Sequence, residues 1–212
     1  MNRPLWYLAS TLVPPILYVL YRLRRRGLEH IPPHGAMLLV SNHVSMRDPV
    51  FVGAAALPRK TYFMAKSELF RVRPFGWLIR GLGAFPVVRG GADREAFRRA
   101  RDLLAAGECV VMFPEGTRSR DGRLRPPLPG AGALALAPGV AVIPVAVWGT
   151  QRRLGPVRVA FGPPVDLSDL VDGVRARRAE RAADRIMAAV AALLPSAGGP
   201  AQEPPRVSGE RG

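Results

Sequence analysis

Five short, mainly apolar runs recur along the chain: AMLLV at residues 36–40, TYFMA at 61–65, FPVV at 85–88, CVVMF at 109–113 and VAVIPVAV at 140–147. Each is too short for a packed helix, and runs of four to eight apolar and β-branched residues read as strands covered on both faces. Between them lie stretches with helical patterning at 49–57, 74–80 and 93–106, an alanine-rich GALALA before the fifth run, and a long amphipathic segment at 175–194. Strands that alternate with helices predict an α/β fold, a single domain with a central, mostly parallel or mixed sheet flanked by helices. Residues 157–161 read as an edge strand. With 212 residues one core is the default.

The first 26 residues stand apart from this pattern. No charge falls between Arg3 and Arg22, and the run LWYLASTLVPPILYVLY is followed by the basic cluster RLRRR. About 18 apolar residues are just enough to cross a bilayer. Pro14 and Pro15 interrupt the run, and a proline inside a helix removes a donor and crowds the preceding turn. The expectation is a broken or hairpin pair of helices lying in one leaflet, with a single span as the alternative. Trp6, Tyr7, Tyr18 and Tyr21 suit an interface, and the arginines suit anionic lipid. A secretory signal and a core-packing helix are rival readings. The partition is then 1–26, a membrane-associated helical segment; 27–194, the α/β domain; and 195–212, a tail whose low apolar content predicts disorder.

A net charge of +15 predicts affinity for anions, which admits nucleic acid, lipid head groups and phosphorylated metabolites alike. Nucleic acid is not expected, because the arginines show no aromatic interleaving and no recognised motif. The single cysteine, Cys109, sits inside an apolar run and reads as a core residue rather than half of a disulfide.

Chemistry concentrates where strands end. SNHVSMRDP follows the first strand and places His43 five residues before Asp48. The histidine closes a strand while the aspartate, followed by Pro49, opens a helix as its N-cap. A sharp turn there brings imidazole and carboxylate together, so that the carboxylate can fix one tautomer of a histidine base. The plain alternative is a helix start beside an exposed loop histidine. FPEGTRS follows the fourth strand and offers Glu115, Gly116, Thr117 and Arg118; a glycine permits close backbone approach, and a hydroxyl and a guanidinium match phosphate oxygens. Arg89 closes the third strand in GAFPVVRG. His30, His34 and Cys109 show no ligand spacing, so no metal site is expected.

Taken in order, SNHVSMRDP, GAFPVVRG, FPEGTRS and VIPV resemble the four sequence blocks of the glycerolipid acyltransferase family, whose best-known members are bacterial 1-acyl-glycerol-3-phosphate acyltransferases. The resemblance covers roughly residues 35–147. It implies that His43 is the general base and Asp48 its orienting partner. By the same resemblance Arg89, Glu115, Gly116, Thr117 and Arg118 bind the acceptor's phosphate, and Pro144 belongs to the wall of the acyl pocket. The implied reaction moves an acyl group from a thioester, either acyl-coenzyme A or an acyl carrier protein, to the free hydroxyl of a lysophosphatidate, with no cofactor beyond that co-substrate. It also implies a peripheral or monotopic protein on the cytoplasmic face of the cell membrane, held by an anionic surface. Two positions depart from the family pattern. Leu128 stands where many members carry a basic residue, which leaves the acceptor's head group open, and Ala141 stands where many have proline. The alternatives are the same chemistry on another lysophospholipid or alcohol, and an anionic-lipid binder without catalysis.

Overall fold

The computed structural model describes residues 2–88 and 93–207, and its described strands form one sheet. They are β1 (Arg24–Arg26), β2 (Met37–Ser41), β3 (Thr61–Lys66), β4 (Ala84–Val87), β5 (Cys109–Met112), β6 (Ala141–Trp148) and β7 (Arg158–Phe161), in the spatial order β1-β7-β6-β2-β5-β3-β4. Strands β2 to β6 run parallel, β7 is antiparallel to β6, and β1 is parallel to β7. The sheet is therefore mixed.

Every residue of β2 is buried, because helices cover both faces and β5 and β6 flank it. This is why its sequence is a continuous apolar run rather than an alternating one. On one face, Met37, Leu39, Val111, Ile143 and Val145 pack against helices α1 (Arg3–Leu20) and α2 (Asp48–Ala55) through Leu17, Phe51 and Val52. On the other, Leu38, Val40, Val110 and Val142 meet α4 (Arg94–Ala105), α5 (Pro129–Ala135) and α6 (Arg175–Leu193) through Ala100, Leu104, Leu134 and Ile186. Helix α3 (Phe75–Gly81) lies beside α1, where Gly81 sits against Leu5. Cys109 is buried, and burial pushes its thiol up to about 12, which keeps it neutral in the core.

Three expectations are corrected. The apolar N-terminus is one continuous helix of 18 residues with Pro14 and Pro15 inside it, neither broken nor a hairpin. Val13 and Leu17 anchor it on either side of the prolines by packing on the core, so tertiary contacts outweigh the two missing backbone donors. Among the described residues no helix is long and apolar enough to cross a membrane. Residues 157–161 are not at the edge, because the arginine cluster itself adds β1 outside β7. Arg25 then reaches back to the carbonyls of Ala55 and Leu57 at 3.2 and 3.3 Å, where a cation satisfies the end of α2. Finally, residues 195–207 follow the body of the domain rather than trailing from it. Leu194 and Ala197 are buried, Gln202 donates to the Gly122 carbonyl and accepts from Leu124 N–H, both at 2.8 Å, and Val207 N–H meets Asp184 at 2.6 Å. Composition registers apolar burial and is blind to such polar ties.

Candidate active site

Because β6, β2 and β5 are parallel neighbours, their carboxyl ends open along one edge of the sheet, the usual position for a ligand in an open α/β fold. Beyond Ser41 the sheet is prolonged by a side chain. The Asn42 carboxamide donates to the Val147 carbonyl at 3.0 Å and accepts its N–H at 2.8 Å, which binds the end of β2 to β6 and fixes where the next residue begins.

That residue is His43, only 6% exposed. Its Nδ1 lies 2.8 Å from Asp48 Oδ2. Asp48 is the first residue of α2, yet its carboxylate turns back on the preceding loop instead of capping the helix ahead: Oδ2 also accepts the Val44 and Ser45 N–H groups, each at 2.7 Å. The ring of His43 stacks on Phe113 with centroids 4.3 Å apart. Its backbone is gripped from the other strand end, since its N–H donates to Glu115 Oε1 and its carbonyl accepts from Ser119 N–H, both at 2.8 Å.

Glu115, assigned by the resemblance to the acceptor's phosphate, is buried, and both its oxygens are taken by backbone donors, the second by Arg125 N–H at 3.1 Å. Burial pushes its carboxyl up to about 7, partly offset by those two bonds and the nearby Arg125 charge, and raised further by Asp48. Gly116 adopts φ +66, a left-handed conformation that turns the chain outward, and leaves Thr117 and Arg118 exposed between the two residues that hold His43. Leu128, 55% exposed, lies directly over Gly116. Arg89 follows Val88 outside the described residues; β4 ends at the same edge as β2, with β5 and β3 between them.

Pro144, assigned by the resemblance to the acyl-pocket wall, points to the α6 side, against Gly162 and Leu193. The apolar cavity is on the opposite face, about 310 Å³, between α1, α2, α3 and β3. Trp6, Val13, Phe63 and Leu78 line it, and Met46 and Pro49 bring its wall to the His43–Asp48 turn. Among the described residues no three His, Cys, Asp or Glu side chains gather as metal ligands would.

Sequence reasoning missed Asn42, Phe113, Arg47 and Thr150. The Thr150 hydroxyl donates to Asp48 Oδ1 at 2.5 Å, the fourth bond to that carboxylate. It follows the end of β6, so the attention given to the ends of β2, β4 and β5 would have found it had it been extended one strand further.

The sequence model of the family described as Acyltransferase matches residues 22–148, more than half of the chain and including both His43 and the 113–119 loop. The chain belongs to the acyltransferase family. This acyltransferase-family chain is 32% identical over 162 residues to the chloroplastic 1-acyl-sn-glycerol-3-phosphate acyltransferase of Arabidopsis thaliana, covering 70% of this chain and 45% of that protein. It is 36% identical over 140 residues to the 1-acyl-sn-glycerol-3-phosphate acyltransferase of Streptococcus pneumoniae, 63% and 51% of the two chains. A lyso-ornithine lipid O-acyltransferase of Pseudomonas aeruginosa is also 36% identical, over 151 residues, 70% and 56%. The chain spans about half the length of the curated relatives it matches. Among solved structures, the 1-acyl-sn-glycerophosphate acyltransferase PlsC from Thermotoga maritima superposes with a TM-score of 0.62 at 26% identity, covering 84% of this chain and 80% of that one.

Proposed function

We propose that this protein transfers an acyl group from a thioester to the free hydroxyl of a lysophosphatidate, giving phosphatidate, with His43 as general base. The observation that carries this reading is the buried His43–Asp48 pair, 2.8 Å apart, on a turn whose Met46 and Pro49 line an apolar cavity. With Nδ1 held by the carboxylate, Nε2 is the nitrogen that takes the hydroxyl proton as the oxygen attacks the thioester carbonyl. Collapse of the tetrahedral intermediate breaks the carbon–sulfur bond, and the imidazolium returns its proton to the leaving thiolate. Ester and thiol are the products. The cavity, within the span of about 300–1,000 Å³ common for small-molecule sites, suits an acyl chain. Arg118, Thr117 and Arg89 are assigned to the head group, with coenzyme A or an acyl carrier protein as the thioester's carrier. The exposed stripe of Leu8, Leu12, Ile16 and Val19 on α1 lies in the cytoplasmic leaflet, and the basic surface faces its anionic lipids.

A second reading keeps the chemistry and changes the acceptor. Leu128 over Gly116 puts an apolar side chain where a phosphate monoester would be handled, and a relative is named for a lyso-ornithine lipid. Labelled acyl transfer from each thioester to a panel of lysolipids in the presence of membranes separates the two: preference for a head group without an exposed phosphate selects the second. In the same assay His43→Ala is expected to lower transfer by about a hundredfold or more while lipid binding persists. Transfer at the wild-type rate would remove His43 as the base, whereas wild-type transfer at background level, unchanged by the substitution, would leave only a lipid-binding role.

A further inference from the structure

Thr150 and Arg47 belong to neither the base nor the head-group loop, yet both are built into the turn that faces Asp48. Of the two Asp48 oxygens, Oδ2 carries three bonds, from His43 Nδ1 and the Val44 and Ser45 amides, while the bond recorded on Oδ1 comes from Thr150. Both Asp48 and Thr150 are fully buried. A buried carboxylate with no Lys or Arg partner among the described residues depends on every donor it has, and its rotation decides whether Oδ2 stays aimed at the imidazole.

The turn carrying Thr150 is shaped for this. Gly149 adopts φ +96, and a Cβ there would fall 2.2 Å from the Pro156 carbonyl oxygen, so the chain reverses tightly at the end of β6 and sends the next side chain back toward α2. Arg47, adjacent in sequence to Asp48, clamps the turn from outside: its guanidinium donates to the carbonyls of Thr150, Arg152 and Arg153 and to the Tyr21 hydroxyl. Residues from either side of the sheet edge thus lock one hydroxyl against one carboxylate oxygen.

We propose that Thr150 is a positioning residue of this site: its hydroxyl holds Asp48 in the rotation that orients His43, and Arg47 keeps the hydroxyl in place. The inference rests on His43 being the base. Thr150→Val removes the hydroxyl at nearly constant volume, and Thr150→Ser keeps it. In acyl transfer to lysophosphatidate, the valine variant is expected to lose about 10- to 100-fold in kcat with KM changed by no more than about twofold, because ring orientation affects the chemical step rather than substrate binding. The serine variant restores kcat. In parallel, histidine-labelled protein contains only His30, His34 and His43, so the low-field Nδ1–H signal of His43 can be assigned by substitution. It is expected in wild type and Thr150→Ser and absent in Thr150→Val. Thr150→Ala is read in the same way should valine not fold. A valine or alanine variant with wild-type kcat and an intact Nδ1–H signal overturns the proposal, as does a serine variant as impaired as valine. His43→Ala separates the two levels: full transfer without the imidazole would remove the base reading, while the Nδ1–H signal in the Thr150 variants, which keep His43, would still report whether Thr150 orients the ring.

Discussion

His43 is held from three directions: Asp48 on the ring, Glu115 and Ser119 on the backbone, and Phe113 on the ring face. Glu115 is the member with a measurable signature. Its carboxyl rises from an ordinary 4.5 to about 7 in the folded protein, so the native state binds a proton more tightly than the unfolded chain. The associated stability, on the order of 3 kcal/mol, is fully present below the unfolded value and is lost as pH rises through 7. Urea titrations at pH 5 and pH 8 are therefore expected to show a falling contribution in wild type. Glu115→Gln, which still accepts the His43 N–H, should flatten it; equal slopes in the two proteins would contradict the role of burial. A carboxylate directly after the apolar VVMFP needs a partner to be held there. The partner is the backbone of His43, 72 residues upstream, and no local pattern connects the two.

Helix α1 shows how an element's character depends on what it meets. From sequence its apolar run admits a span, a hairpin in a leaflet or a core helix, and the prolines weigh against continuity. The structure divides it into two faces: Trp6, Ala9, Val13 and Pro14 close the cavity and Leu17 enters the core, while Leu8, Leu12, Ile16 and Val19 remain exposed. If the exposed face sits in lipid, replacing Leu12 and Ile16 with glutamate forfeits about 1.5–3 kcal/mol of burial per side chain, and binding to anionic vesicles falls at least about tenfold. Both positions face solvent, so the melting temperature should barely move. A vesicle flotation assay beside a thermal melt measures both, and unchanged flotation would place lipid contact elsewhere. The strands tell the opposite story. Six of them were readable within about two residues; in interior strands such as β2, burial on both faces leaves an apolar run that no neighbour can disguise. Strand β1 was not, since three arginines carry no strand signal and pair with β7 more than 130 residues away.

Across the whole molecule, if the protein attaches to an anionic membrane as proposed, the charge of +15 should act over the whole surface rather than through any single contact. Raising salt from about 0.1 to 1 M shortens the screening length from about 10 to 3 Å, so attachment to anionic vesicles should weaken steeply while attachment to neutral ones stays low throughout. Sedimentation with the two vesicle types over that range checks it, and salt-insensitive binding would assign the attachment to α1 alone. The α/β class, the strand positions and the meeting of His43 with Asp48 were legible in the chain because each rests on local chemistry: apolar periodicity, a proline-marked helix start, and two titratable groups five residues apart. The cavity, the retreat of Pro144 to the opposite face, the bracing role of Glu115 and the place of Thr150 beside Asp48 were not. Each of those depends on strand order, and the placing of β6 and β5 on either side of β2 is settled by how the whole sheet and its helices bury surface together, which no single segment encodes.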